Sequence, residues 1–381
     1  MITASSVVVT VVFIVLMESV NLGMSDYLID NEIRMYTAHV EVNSPGYSHQ
    51  RRIEHAMTGV DTLLPGLKEL PGVTSVARRL EMLVLAASDN ETLPAIVWGM
   101  EPNTPKGFVN YAAMVSHGQA APSHLVLGNE LADKLGITPG DSVVLIGQSY
   151  YGRVAAGIYP VSGIAAIPVP DISKHVVFAP LDLVRELAGI PEGATSLLIN
   201  IRDKHTAETA KYHIEQYLAN IPVEVRTWQN TMSGRLDTYR LREAGVTVLK
   251  AVLLVLLGFG ILGAMMLTHF ERKGEYRMLK ALGLKPHYLA ASLTIEMALT
   301  GCVGMIAGLA LTIPSVLLLN QYPIHVTGEL ARIMKQFNIE PIIVMSSQPH
   351  LFINSTLTVF AITLTIALVT TTPILLSHKK S

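Results

Sequence analysis

"HFERKGEYRMLKALGLKPHYLA", His269 to Ala290, carries much of the clustered charge of a 381-residue chain and lies between two long apolar runs. The chain is 50% hydrophobic and 15% charged, with mean hydropathy +0.41. That is too apolar for an ordinary soluble protein and too mixed for one wholly in the membrane. Working outward, Gly245 to His269 precedes the charged stretch, Leu289 to Leu319 follows it, and Leu351 to Leu376 comes later. Each is long enough to cross roughly 30 Å of hydrocarbon at about 1.5 Å per residue. A fourth, weaker run spans Ile2 to Met24, because Val7 to Met17 is apolar apart from Thr10 while Glu18 and Asn21 follow at once. A cleaved signal peptide is the competing reading; it lacks a basic n-region and an A-x-A site.

Basic residues in the short connections set the orientation. The stretch after Gly245–His269 holds Arg272, Lys273, Arg277, Lys280 and Lys285, whereas 320–350 holds only Arg332 and Lys335. The expected layout is four transmembrane α-helices (2–24, 245–269, 289–319, 351–376). It has a cytoplasmic coupling loop at 270–287, an extracytoplasmic loop at 320–350, a cytoplasmic tail at 377–381, and a large extracytoplasmic α+β domain at 27–240. Within that domain, "HVEVNSPGY" reads as a strand closed by a Pro-Gly turn and "VTSVARRLEMLVLAA" as a strand. The segment around 103–170, with "NELADKLGITPGDSVVLIGQ", reads as a β-rich insert between two βαβ-like halves. "TMSGRLDTYRLREAGVTVLKAVLLV" has no breaker after Gly234 and reads as a helix running into the second span.

A net charge of −2, with basic residues outside the membrane at most in pairs such as Arg51-Arg52 and Arg78-Arg79, gives no footprint for nucleic acid. The single cysteine, Cys302, lies in a span, so the exported domain must rely on its core rather than on disulfides. No phosphate-cradling G-x-x-x-x-G-K-[ST], no G-x-S-x-G, no H-E-x-x-H and no C-x-x-C occurs, and no two of the 13 histidines stand at i, i+4. Catalytic residues, metal ligands and cofactors are therefore expected to be absent from this chain.

Within the spans, Lys250 is placed to snorkel to the outer interface, and Glu296 to reach back toward the cytoplasmic one. Gly301, Gly304 and Gly308, and Gly260 with Ala264, give small-xxx-small spacing for close helix packing, to which Glu296 adds an inter-helix contact. On the charged stretch, Glu271, Glu275, Met278 and Leu282 form one stripe and Lys273, Arg277 and Lys280 another. Like charges stacked on like weaken an isolated helix, so the pattern suits a basic face on anionic headgroups and an acidic, apolar face on a protein.

"ERKGEYRMLKALGLKPHYLAASLTIEMALTGCVGMIAGLAL" resembles the E-R-x-x-E-x-x-x-L-[RK]-A-L-G stretch of type VII ABC transporter permeases, the MacB, FtsX and lipoprotein-releasing group. Glu271, Arg272, Glu275, Leu279, Lys280, Ala281, Leu282 and Gly283 match it, and Glu296 matches a glutamate of the next helix. "HVEVNSPGY" and "LVLGNELADKLGITPGDSVVLIGQ" are similar to segments of the lipoprotein-releasing branch. The resemblance implies a bacterial inner-membrane permease whose coupling residues, Glu271, Arg272, Glu275, Met278, Leu279, Leu282 and Gly283, dock on a separate cytoplasmic ATPase that holds ATP and Mg. It also implies a second permease copy or a related chain, contact with membrane lipid, and a periplasmic acceptor or adaptor. Cargo would be lipoprotein or lipophilic, entering near Met17, Met24 and Val252; MacB-like export of periplasmic cargo and an FtsX-like signal relay are the alternatives. The chain departs from the family in entering the membrane almost at Met1 and in ending with "ILLSHKKS".

Overall fold

The computed structural model describes residues 2–89, 91–101, 107–167, 169–336 and 341–376. The expected tail at 377–381, with Lys379 and Lys380, lies outside the described residues, as does the stretch 103–106 that opens the expected insert. The chain forms two compact units: 28–236 with 327–341, and 1–27 with 237–326 and 342–381.

The first unit is α+β. Its ten strands are β1 (Val40–Asn43), β2 (Val73–Ala87), β3 (Thr92–Met100), β4 (Val115–Gly118), β5 (Leu125–Gly128), β6 (Ser142–Gln148), β7 (Val154–Ala165), β8 (Val176–Pro180), β9 (Ser196–Ile201) and β10 (Glu224–Thr227). They join in the order β10-β1-β9-β2-β3-β8-β5-β7-β4, and β6 pairs with β2 and β7. β2 organises the sheet: Val73–Arg79 pairs with β9, Leu80–Ala87 with β3, and Val84–Ala87 also with β6. Its second half alternates as a half-buried strand should, with Met82, Val84 and Ala86 inside and Leu83 and Leu85 outside. The β-rich stretch joins the common sheet. β5 pairs with β8 and β6 with β2, so β4 to β7 extend the common sheet. Strand pairing is a tertiary choice that local composition does not carry.

Helices α2 (Leu64–Glu69), α3 (Asn129–Leu135), α4 (Leu181–Ala188) and α5 (Ala207–Tyr217) accompany this sheet. One core gathers Val40, Val42, Leu197, Ile199 and Ile214; a second gathers Leu80, Val97, Leu127, Leu131 and Val184. Arg79 lies between buried acids: its Nη2 is 2.9 Å from Glu41 and its Nε 3.7 Å from Glu81, with side chains 1% to 5% exposed. Arg51 Nη1 closes on Glu81 at 3.1 Å. Asn43 donates to Glu41, and the Arg79 guanidinium lies 5.1 Å from the Trp98 ring centroid and 5.6 Å from that of Tyr36. One member of each basic pair seen in the sequence thus joins this cluster, Arg79 fully buried and Arg51 partly so. Burial at this site pushes the Tyr47 hydroxyl, which closes the "HVEVNSPGY" motif, well above its ordinary range.

The second unit is a bundle built on α1 (Ile2–Glu32), α6 (Ser233–Glu271), α7 (Lys273–Ala281), α8 (Pro286–Gln321) and α9 (Pro349–Leu376). Four of these helices, all but α7, are long and apolar enough to cross a bilayer. A two-residue ladder, Ile324–His325 with Ile342–Ile343, joins the ends of the α8–α9 connection. The bundle core contains Val7, Val11 and Ile14 of α1, Ile261 and Met265 of α6, Met297 and Met305 of α8, and Leu351, Val359 and Ala367 of α9.

Candidate functional site

The charged stretch forms a helix because Arg272 breaks α6 and caps α7 with non-helical angles (φ −92°, ψ 5°), while Gly283 stops it. Gly283 has φ +92°, a conformation open to glycine without steric cost. Its N–H donates to Lys280 O at 3.0 Å and the Leu284 N–H to Leu279 O at 3.2 Å, so the last carbonyls are satisfied by a Schellman turn. Pro286 then opens α8 at its first position, where no N–H is needed. Gly283 therefore fixes where α7 ends and how the chain enters the next span.

α7 has two faces. Tyr276 is its one buried residue and packs with Leu289 and Leu293 of α8, its ring 5.0 Å from that of His269. Arg272 forms an ion pair with Glu296 of α8 and lies 3.8 Å from Glu275. On the other side Met278 is 63% and Leu282 77% exposed, with Leu279 at 38%. The stripe expected from Glu271 to Leu282 is therefore shorter. The break at Arg272 leaves Glu271 at the end of α6, where it lines a polar cavity of about 370 Å³ with Thr3, Thr268, Arg272, Glu296 and Thr300. Glu296 ties α8 to the start of α7, a partner that the sequence could not name. Tyr276, which anchors the helix, was missed because one tyrosine in a charged run carries no periodic signal.

In the spans, a Cβ on Gly304 would lie 2.8 Å from Ala4 O and 2.9 Å from Val7 Cβ; on Gly308 it would lie 2.8 Å from Val11 Cβ. On Gly301 it would meet Thr363 of α9 at 2.9 Å. Ala264 is buried, but a Cβ on Gly260 would meet no atom within 4 Å, so the close packing expected there does not occur within this chain. Lys250 does not simply reach for an interface: its Nζ is 2.6 Å from Glu18 Oε2, which also accepts a hydrogen bond from Ser355 Oγ at 3.0 Å. Met17 and Met24 are half-buried on α1 and Val252 is exposed on α6. None of them lines the apolar groove between those helices, which is formed by Ile2, Ser5, Ser6, Val9, Thr10, Leu256, Leu257 and Gly260. Among the described residues no group of three or more His, Cys, Asp or Glu could hold a metal ion.

Residues 1–217 match the MacB-like periplasmic core domain family, and residues 247–378 match the FtsX-like permease C-terminal family. The lipoprotein-releasing system transmembrane protein LolC of Xylella fastidiosa is 20% identical over 300 residues, covering 75% of this chain and 69% of that protein. LolC of Neisseria meningitidis serogroup B is 20% identical over 268 residues, covering 67% and 64%. Among solved structures, the extracellular domain of the noncanonic ABC-type transporter YknZ from Gram-positive bacteria aligns at 14% identity and TM-score 0.34, covering 49% of this chain and 99% of that one. The periplasmic region of MacB from Actinobacillus actinomycetemcomitans aligns at 12% and 0.36, covering 53% and 94%. The family matches together span both the sheet-rich domain and the bundle with its charged helix, and the chain belongs to the MacB/FtsX-like permeases of ABC transporters, close to the lipoprotein-releasing branch.

Proposed function

We propose that this permease docks a separate cytoplasmic ATPase on the exposed face of α7 and passes the ATPase cycle into its bundle and α+β domain. The carrying observation is the division of α7: Glu275, Met278 and Leu282 on an open face, Tyr276 and Arg272 held to α8 behind it. A short helix with exposed apolar side chains and one acid offers a partner both contact area and charge. A helix anchored by a buried aromatic and an ion pair moves with α8 when it is pushed. ATP and Mg reside on the partner, and this chain supplies no catalytic residue.

The cargo reading is a lipid-anchored or lipophilic protein taken from the outer leaflet of a bacterial inner membrane and passed to a periplasmic acceptor. It draws on the lipoprotein-releasing name of the relatives and on the adaptable methionines Met17 and Met24 of α1, with Val252 exposed on α6. A Cβ added at Gly263 would meet no described atom within 4 Å, and the same holds at Gly260, which lines the α1–α6 groove; this leaves Gly263 suited to contact with a second permease copy or a related chain.

Three experiments test this. Glu275→Lys should weaken co-purification of the ATPase and leave the permease folded; unchanged association and ATP turnover would remove the docking claim. A cysteine at Ser233 should label from outside the cell and one at Lys285 only after permeabilisation; the reverse would overturn the orientation. Photo-crosslinkers at Met17, Met24 and Val252 should trap acylated protein before ATP is added. Capture of phospholipid alone, while a soluble periplasmic cargo still moves, would favour MacB-like export.

A further inference from the structure

Three spans interlock at the level of the backbone. α1 packs on α8 through Gly304 and Gly308. It also packs on the lead-in to α9: Ser346 N–H donates to Ser19 O at 2.9 Å, Ser19 Oγ donates to Ser346 O at 2.7 Å, and a Cβ on Gly23 would lie 2.5 Å from Val344 O. Gln348 donates to Asp26 at 3.2 Å one turn further on. Contacts this close leave no room for α1 to slide on α8 or α9 without repacking.

α6 is held differently. It is the least covered of the four long helices, with 17% of its apolar window buried against 39% for α1. Its seam with α1 is an open apolar groove of about 490 Å³. Polar ties stand at both ends of that groove. At one end Thr3 Oγ1 and Thr268 Oγ1 are 3.3 Å apart, a neutral and long contact. At the other is the charged Lys250–Glu18 pair at 2.6 Å. Charge-assisted bonds are roughly twice as strong as neutral ones, so the second tie dominates.

The second tie is also built to open. Ser355, fully buried on α9, donates a second hydrogen bond to the same Glu18 oxygen. Glu18 therefore stays partnered on the interlocked body. Lys250, on a flexible four-carbon stem and 27% exposed, can carry its charge to an interface when it leaves. We propose that the Lys250–Glu18–Ser355 cluster is a reversible latch that holds α6 against α1, and that its release widens the α1–α6 seam to admit an apolar chain. What enters the seam rests on the cargo reading above; the opening itself does not.

The test uses the full chain in lipid nanodiscs with Cys302→Ala and spin labels at Phe13→Cys and Val255→Cys, both on exposed positions of the two helices. The parent should give one short, narrow distance. Lys250→Met and Glu18→Gln should each add a longer-distance population, and the exchanged pair Glu18→Lys with Lys250→Glu should return it toward the parent. The same distribution in the parent and both single variants would overturn the latch, as would an exchanged pair that stays as open as the singles while keeping the parent's unfolding midpoint. A photo-crosslinker at Val9, inside the groove, separates the two claims. Opening in the labels without capture of acylated protein supports the latch and removes the cargo reading.

Discussion

Two charge clusters in this chain have similar chemistry and opposite settings. In the α+β domain, Arg79, Glu41 and Glu81 have side chains at most 5% exposed, and Arg79 reaches both acids within one packed sheet. At the end of the bundle, Arg272 and Glu296 are 41% and 50% exposed and join two helices. Taking charges out of water costs several kcal/mol per ion, and that cost is recovered only while all partners stay in place, so the first cluster is a fixed part of the core. The second loses little when it breaks, because water takes up either partner. A contact in the second setting can therefore be reversed at little cost in folding, so its part in coupling can be read apart from stability.

The largest effect should follow from breaking the buried cluster. Arg79→Ala leaves Glu41 and Glu81 without their shared cation and should cost about 3–5 kcal/mol in the unfolding of the detergent-solubilised chain. Replacing all three by Met, Gln and Gln should recover most of that loss, since a neutral, well-packed set avoids the desolvation cost.

A smaller loss is expected in the bundle. Gly308→Leu forces side-chain atoms into Val11 and should cost about 1–3 kcal/mol. A Cβ at Gly260 meets nothing within 4 Å, so Gly260→Leu should cost less than Gly308→Leu; if a second copy packs there, cross-linking between copies should fall as well.

Reversing Arg272 should change stability less still, by about 0–1 kcal/mol, because the pair with Glu296 is half exposed. Its consequence should appear in coupling rather than in folding.

The smallest signal is a pH slope. Burial holds the His39 imidazole below its ordinary value, beside Asn200 and in the field of Asp30, Lys204 and Asp203. The unfolded chain binds the proton first, so stability from this group is complete above about pH 6.5 and declines as pH falls through the lowered folded value. His39→Gln should flatten the acid side of the stability curve in that window.

Much of this was legible in the sequence because it is local. Hydropathy found the four long helices, alternation found β2, and the charge stripes placed a short helix between two spans. Partner choice was not legible. Lys250 looked like a residue reaching for the interface, yet it meets Glu18, 232 positions away. Arg51 stood in a short basic pair, yet it reaches Glu81 of β2, 30 positions away, and Arg79 of β2 reaches Glu41 of β1. Gly260 carried the same spacing signal as Gly304, and only the fold decides which of them faces a neighbour within the chain. Each miss concerns contacts made between elements, where spacing along one element gives no information.

The central claim, that α7 transmits ATPase motion to α8 through Arg272 and Glu296, is tested most directly by ATP turnover of the reconstituted permease with its ATPase. Arg272→Glu should abolish permease-dependent stimulation with the complex still assembled, and Arg272→Glu with Glu296→Arg should restore most of it. Parent-like stimulation in the single reversal would contradict the account.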